Sequence, residues 1–224
     1  MNYRFNEIKP KIVQTILLTI ITITFSYGQS EISSEKFRYI FKSIKNGGEI
    51  IYNGKNHYFS INVIGKKIRQ ADVENSNNES NQNFVIIDNV TVQTSIVPLP
   101  QTLPKSYNLS KLSSIQKKEL LDGYVNYELD YFKNELNLNL DNVKKEWKII
   151  NSNLFIFWYF EMPISKNSEL NTKRQIYVST ICFNQVLVIN VPIFKETTIQ
   201  KYLPLVTKLA ESVKMLNQAY SIKK

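Results

Sequence analysis

This chain is poor in the side chains that staple or catalyse. Among its 224 residues there is one cysteine, Cys182, and one histidine, His57. A lone cysteine excludes an internal disulfide, and one His with one Cys is too small a set for a zinc site of the usual tetrahedral kind. No GxSxG elbow, SxxK pair, phosphate-binding loop or dinucleotide fingerprint occurs, so the chemistries that depend on those motifs lack their signature. Glycine and proline are scarce, at six and seven residues, while Asn, Lys and Ile are heavily used, a bias that an AT-rich genome explains as well as function does. The sequence thus presents no catalytic, cofactor-binding or metal-ligating set.

What it does have is charge and an address. Lys and Arg exceed Asp and Glu by nine, and 43% of residues are hydrophobic, enough for one domain with a real core. Arg4, Lys9 and Lys11 precede an apolar run from Ile12 to Phe25, and Ser26-Tyr27-Gly28 places small residues where a signal peptidase cuts. That order predicts a secretory signal peptide over residues 1–28, cleaved near Gly28, and an exported domain over 29–224, periplasmic or secreted. An uncleaved span would need about 20 apolar residues, more than this run offers. No cysteine follows it to carry a lipid. Removing the segment, in which Arg4, Lys9 and Lys11 outnumber Glu7 by two, leaves +7. Such a protein suits anionic lipid, acidic glycan or an acidic envelope protein. Its basic pairs, Lys66-Lys67, Lys117-Lys118, Lys144-Lys145 and Lys173-Arg174, lack the aromatic spacing of a nucleic-acid face, and no nucleic-acid partner is expected.

The strongest strand signal is Gln175–Ile193. Read as a hairpin about Asn184-Gln185, it pairs Phe183 with Val186. One face then collects Ile176, Val178, Thr180, Cys182, Leu187, Ile189, Val191 and Ile193, and is expected to be core. The other carries Ile181/Val188, Ser179/Asn190 and Tyr177/Pro192, and is either covered or open as a groove.

The remaining elements follow in chain order. Phe37, Ile40, Phe41 and Ile44 at i, i+3, i+4 and i+7 predict a helix over Glu35–Ile44, ended by Gly47-Gly48. Glu49–Tyr52 and His57–Ile64 predict a hairpin about Asn53-Gly54. Ala71–Asn83, rich in Asn and Ser, reads as a flexible surface loop. Phe84–Val97 is strand-like, and Pro98, Pro100 and Pro104 make a stiff connector. Ser113 with Gln116 forms a capping box for a helix whose buried stripe is Leu121, Val125, Leu129, Phe132 and Leu136. Trp147–Ile150 and Leu154–Met162 make another strand pair, the second apolar on both faces and so interior to a sheet. Ser165–Thr172 is a polar loop. Thr198–Leu216 has helical spacing, with Thr197 and Gln200 as a candidate capping box. Pro204 leaves two alternatives, a kink there or a regular helix starting near Tyr202.

Candidate chemistry is weighed residue by residue. His57 reads as a partly exposed strand residue rather than a general base, because no partner can be placed beside it. Glu128 and Asp130, two apart on a helix, point to different sides. Glu161 interrupts the most apolar strand and is either at its solvent end or buried with a shifted pKa. Phe155, Phe157, Trp158, Tyr159 and Phe160 serve a core or line a groove for sugar or lipid. Cys182 falls on the core face, as a small hydrophobe.

The order of these elements, with the FSI strand at Phe59–Ile61 and the ESVKML segment at Glu211–Leu216, resembles the PsbP-like superfamily over about Glu49–Leu216. The resemblance implies an α+β sandwich, a central antiparallel sheet packed by helices, here with an extra N-terminal helix. It departs from the pattern in that helix, in the Asn-rich loop and in lacking a tryptophan after the FSI strand. It implies non-enzymatic binding or assembly, with no cofactor. Two other readings stand beside it: an envelope hydrolase using acidic residues such as Glu161, and a basic protein that binds an envelope or lipid surface.

Overall fold

The computed structural model describes residues 35, 37–70, 82–99, 111–163, 172–194 and 196–220. The signal segment, most of the Asn-rich stretch, the proline connector beyond Leu99 and the polar loop up to Asn171 lie outside the described residues. In chain order the strands are β1 (Arg38–Ile44), β2 (Gly47–Asn53), β3 (Tyr58–Ile64), β4 (Ile68–Gln70), β5 (Gln82–Ile87) and β6 (Val90–Pro98). After helix α1 (Ser114–Asn134) come β7 (Lys144–Ile150), β8 (Asn153–Glu161), β9 (Arg174–Cys182) and β10 (Gln185–Ile193). A short 3-10 turn (Ile199–Lys201), helix α2 (Leu203–Glu211) and β11 (Lys214–Leu216) follow. The strands form two antiparallel sheets, a small one in the order β1-β2-β3-β11 and a large one in the order β4-β5-β6-β10-β9-β8-β7.

The hairpin β9–β10 is the middle of the large sheet, and every residue of β10 is buried. Alternation sends Ile176, Val178, Cys182, Leu187, Ile189 and Val191 into a core closed by the small sheet and α2. The opposite face sends Tyr177, Ile181, Val186 and Val188 into a second core under α1. The expected face assignment therefore holds, but the register differs. The turn is Phe183-Asn184, and Cys182 pairs with Gln185. Moving the turn by one residue moves each partner by two, which preserves the faces. Ser179 now faces Val188 and Asn190 faces Tyr177, so the expected Ser179/Asn190 pair does not form. Phe183 takes the positive φ of the turn, 57°. That is a costly conformation for a bulky residue, and its ring stacks on His57 at 4.2 Å.

Further expectations are corrected. Glu35–Ile44 is not a helix: residues 38–44 are β1, paired with β2 across the two-residue turn Lys45-Asn46. Tyr, Ile and Phe are so dense in RYIFKSI that helical spacing arises by chance, and β-propensity with a hairpin partner prevails. Gly47-Gly48 belongs to β2 rather than to a helix end, and a Cβ on Gly48 would meet the Phe41 ring at 2.4 Å. The fold is accordingly α+β with two sheets and, among the described residues, no N-terminal helix. Residues 214–216, expected in the last helix, form β11 against β3. The helix stops because the Ser212 hydroxyl donates to its own chain at Leu209 O (2.7 Å) and bonds across to Asn62. Pro204 sits in the first turn of α2, the second of the two alternatives, and Thr197 caps nothing there. Its carbonyl instead accepts from Arg174 at 2.9 Å.

Elsewhere the local rules hold. Ser113 and Gln116 form the reciprocal capping box of α1. Phe84–Val97 divides into β5 and β6 about Asp88-Asn89, with φ of 47° and 70°. Asn151-Ser152 turns β7 into β8 with φ of 49° and 64°. Positive φ at both central residues is the two-residue hairpin geometry that matches strand twist.

Candidate functional site

With α1 on one side and the small sheet on the other, the middle of the large sheet offers no open face among the described residues. Phe155, Phe157, Trp158, Tyr159 and Phe160 are all buried and belong to the core rather than to a groove. Trp158 stacks on Tyr177 at 4.1 Å. Cys182 is buried and its thiol is pushed up to about 12 by burial, so it behaves as a small hydrophobe. Among the described residues, no helix is long and apolar enough to cross a membrane, and no group of three His, Cys, Asp or Glu could hold a metal ion.

Chemistry is left to the rims. A cleft of about 660 Å³ opens at one end of the large sheet. Asn139, Asp141 and Asn142 come from the loop after α1, and Lys144 begins β7. Glu161 ends β8, Arg174 begins β9, and Thr198 and Gln200 close the rim. Antiparallel pairing sets Glu161 directly opposite Arg174. Arg174 Nε donates to Glu161 Oε1 at 3.1 Å and Nη1 to Thr197 O at 2.9 Å. Glu161 therefore lies at the solvent end of its strand, 71% exposed, over a guanidinium that is 19% exposed. Lys173 pairs with Glu196 beside it at 3.2 Å. Lys144 and Arg174 thus put cationic groups in the cleft lining.

A second rim site joins three chain segments. Glu35 accepts from Asn56 N–H (2.6 Å), His57 N–H (3.2 Å) and His57 Nδ1 (2.5 Å). Burial pushes the Glu35 carboxyl up, but these bonds outweigh it and hold its pKa below the ordinary value. Gly54 makes the approach possible, since a Cβ there would meet Glu35 Oε1 at 2.4 Å. Gln185 Nε2 donates to Glu35 O at 3.0 Å. His57 precedes β3 and is partly exposed, as expected, but it has a partner that the sequence did not reveal. The two residues are 22 positions apart, and no spacing rule links a carboxylate to a hairpin turn over that distance.

Glu128 and Asp130 do point apart: Asp130 is exposed and Glu128 is buried beneath α1. Burial pushes the Glu128 carboxyl up to about 7, against a hydrogen bond with Tyr124 that lowers it. Beneath it the Tyr177 hydroxyl is itself pushed well up, by burial first and then by the Glu128 charge. Buried as it is in the second core, Glu128 is a desolvated carboxyl, whose ionisation costs stability, rather than a surface acid.

No family model matches the sequence, and no curated protein matches it. Among the solved structures that do match is the solution structure of cyanobacterial PsbP (CyanoP) from Synechocystis sp. PCC 6803. It is 10% identical, with a TM-score of 0.41, over 85% of this chain and 99% of that one. It is the kind of protein that the element order resembles.

Two titrations test these sites. Glu128 has a raised pKa in the fold, so only the folded state holds the proton between about pH 4.5 and 7: stability is lost as pH rises through that window and stays lost above it. Glu128→Gln is expected to stabilise the protein by about 1–3 kcal/mol at pH 8 and by nothing near pH 4, as read by urea unfolding. Glu35 has the opposite sign: its contribution is complete above the unfolded carboxylate pKa and is lost as pH falls through the lowered folded value. Glu35→Gln should destabilise by about 1.5–3 kcal/mol at pH 7, and the difference should close in acid.

Proposed function

We propose that this is an exported, non-catalytic accessory or binding protein that engages its partner at the charged cleft where β7, β8 and β9 end. The observation that carries the reading is the cleft itself, with Lys144, Arg174, Glu161 and Asp141 all in its lining. A guanidinium held at Nε by Glu161 and at Nη1 by Thr197 is oriented rather than floppy, which suits recognition of a carboxylate or phosphate by its remaining N–H donors. The mixed lining favours a charged segment of a partner protein over an apolar ligand. Export rests on the basic start, the apolar run and the small residues ending at Gly28. Assembly of the non-enzymatic kind is what the PsbP-like resemblance implies.

The rival reading, an envelope hydrolase, draws on Asp141 and Glu161 sharing one cleft. A substrate panel on which Glu161→Gln leaves every rate unchanged removes it. The binding reading is tested by a photo-crosslinking residue in place of exposed Gln200, used in the native envelope. It should capture one discrete partner, and Lys144→Glu should cut capture about tenfold, one lost charge-assisted contact's worth. Capture that is absent, or indifferent to Lys144→Glu, would contradict the proposal.

A further inference from the structure

At one corner the fold leaves two isoleucines in water. Ile149 of β7 is 80% exposed and Ile115, in the first turn of α1, is 72% exposed. Two contacts fix how these elements lie. Lys118 Nζ sits 5.5 Å from the centre of the Trp147 ring, and Lys145 Nζ donates to Asn126 Oδ1 at 2.9 Å. Helix numbers rise as strand numbers fall, so α1 and β7 run antiparallel side by side. Ile115 is one turn before Lys118 on the same flank of the helix, and Ile149 is two residues beyond Trp147 on the same face of the sheet. Both steps lead the same way, which sets the two isoleucines at the same end of the α1–β7 contact.

Their surroundings are basic. Lys118, one turn from Ile115, and Lys111, four residues before it, are exposed, and no acidic residue falls in the first turn of α1. On this flank of α1 the acids Glu119 and Asp122 come after Lys118, toward Asn126. Glu146 points to the other face of β7, where Tyr159 and Lys148 hold it. Two isoleucines fall short of the roughly 1,000 Å² that a stable protein interface buries. Self-association through β7 is opposed by Lys144, Lys145 and Lys148 on this edge strand. A small apolar tip set among lysines instead matches the boundary of an anionic bilayer, where isoleucine enters the acyl region and lysine reaches back to phosphate.

We propose that the α1–β7 corner docks reversibly on anionic lipid, with Ile115 and Ile149 inserted and Lys111 and Lys118 on the headgroups. This surface is separate from the cleft and stands whether or not the cleft binds a partner.

The chain carries its own reporter. It has two tryptophans: Trp158 is completely buried, while Trp147 is half-buried at this corner. Quenching by brominated acyl chains therefore reads this corner, even if another segment also holds the protein to the vesicle. With the full chain and phosphatidylcholine–phosphatidylglycerol vesicles, quenching is expected, and it should fall as salt rises from about 0.1 to 1 M. Ile115→Asn with Ile149→Asn, both at exposed positions, should weaken vesicle affinity at this site about tenfold or more while unfolding remains unchanged. Lys111→Glu with Lys118→Glu should reduce quenching on anionic vesicles. The proposal is overturned by absent quenching, by equal quenching on neutral vesicles, or by quenching that the isoleucine variants leave intact. It is also overturned if those variants lose a co-purifying protein but keep vesicle binding, which would make the corner a protein surface.

Discussion

The hairpin Arg174–Ile193 must be covered on two sides at once. Its strands are apolar on alternate residues in both phases, so turning either face to water would expose a row of large side chains. The rest of the chain meets that demand. β6 and β8 flank the hairpin and extend its two faces. The small sheet and α2 close one of them, and α1 closes the other. Even the polar residues carried inside are used where partners exist: Asn190 Nδ2 donates to Gln175 Oε1 at 2.9 Å and to Ile176 O.

A sealed centre moves function outward. Loops and strand ends can vary without disturbing the buried alternation, which is why charged groups gather there. The cleft at Lys144, Glu161 and Arg174 sits where three strands of the large sheet end. The Glu35–His57 contact ties the start of the described chain to the β2–β3 turn, and Phe183 joins it from the β9–β10 turn. The isoleucine corner lies at the sheet's β7 edge. Each is a rim feature supported by the same rigid interior.

Local chemistry made much of this readable in advance. The faces of the hairpin follow from period-2 alternation, the start of α1 from Ser113 and Gln116, and two strand pairs from Asn-rich turns. What failed was whatever depends on distant partners. RYIFKSI spaces its apolar residues like a helix, and only pairing with GGEIIYN makes it a strand. The turn of the central hairpin falls at Phe183-Asn184, where Phe183 stacks on His57, a contact that no local rule contains. Leu216 follows helical spacing, yet Ser212 ends α2 and the chain joins β3. At the sites, Glu161 was readable as a strand-end carboxylate, but its pairing with Arg174 needed the β8–β9 register. The Glu35–His57 bond and the burial of Glu128 needed tertiary structure outright.

The central claim is that both faces of the β9–β10 hairpin are sealed. Native-state amide hydrogen exchange tests it most directly. The account predicts that amides of Val186–Val191 and Tyr177–Ile181 exchange only through global unfolding, more slowly than those of the edge strands β4 and β7. Exchange of the hairpin amides ahead of those edges, through a local opening, would contradict it and restore an open sheet face as the place to look for function.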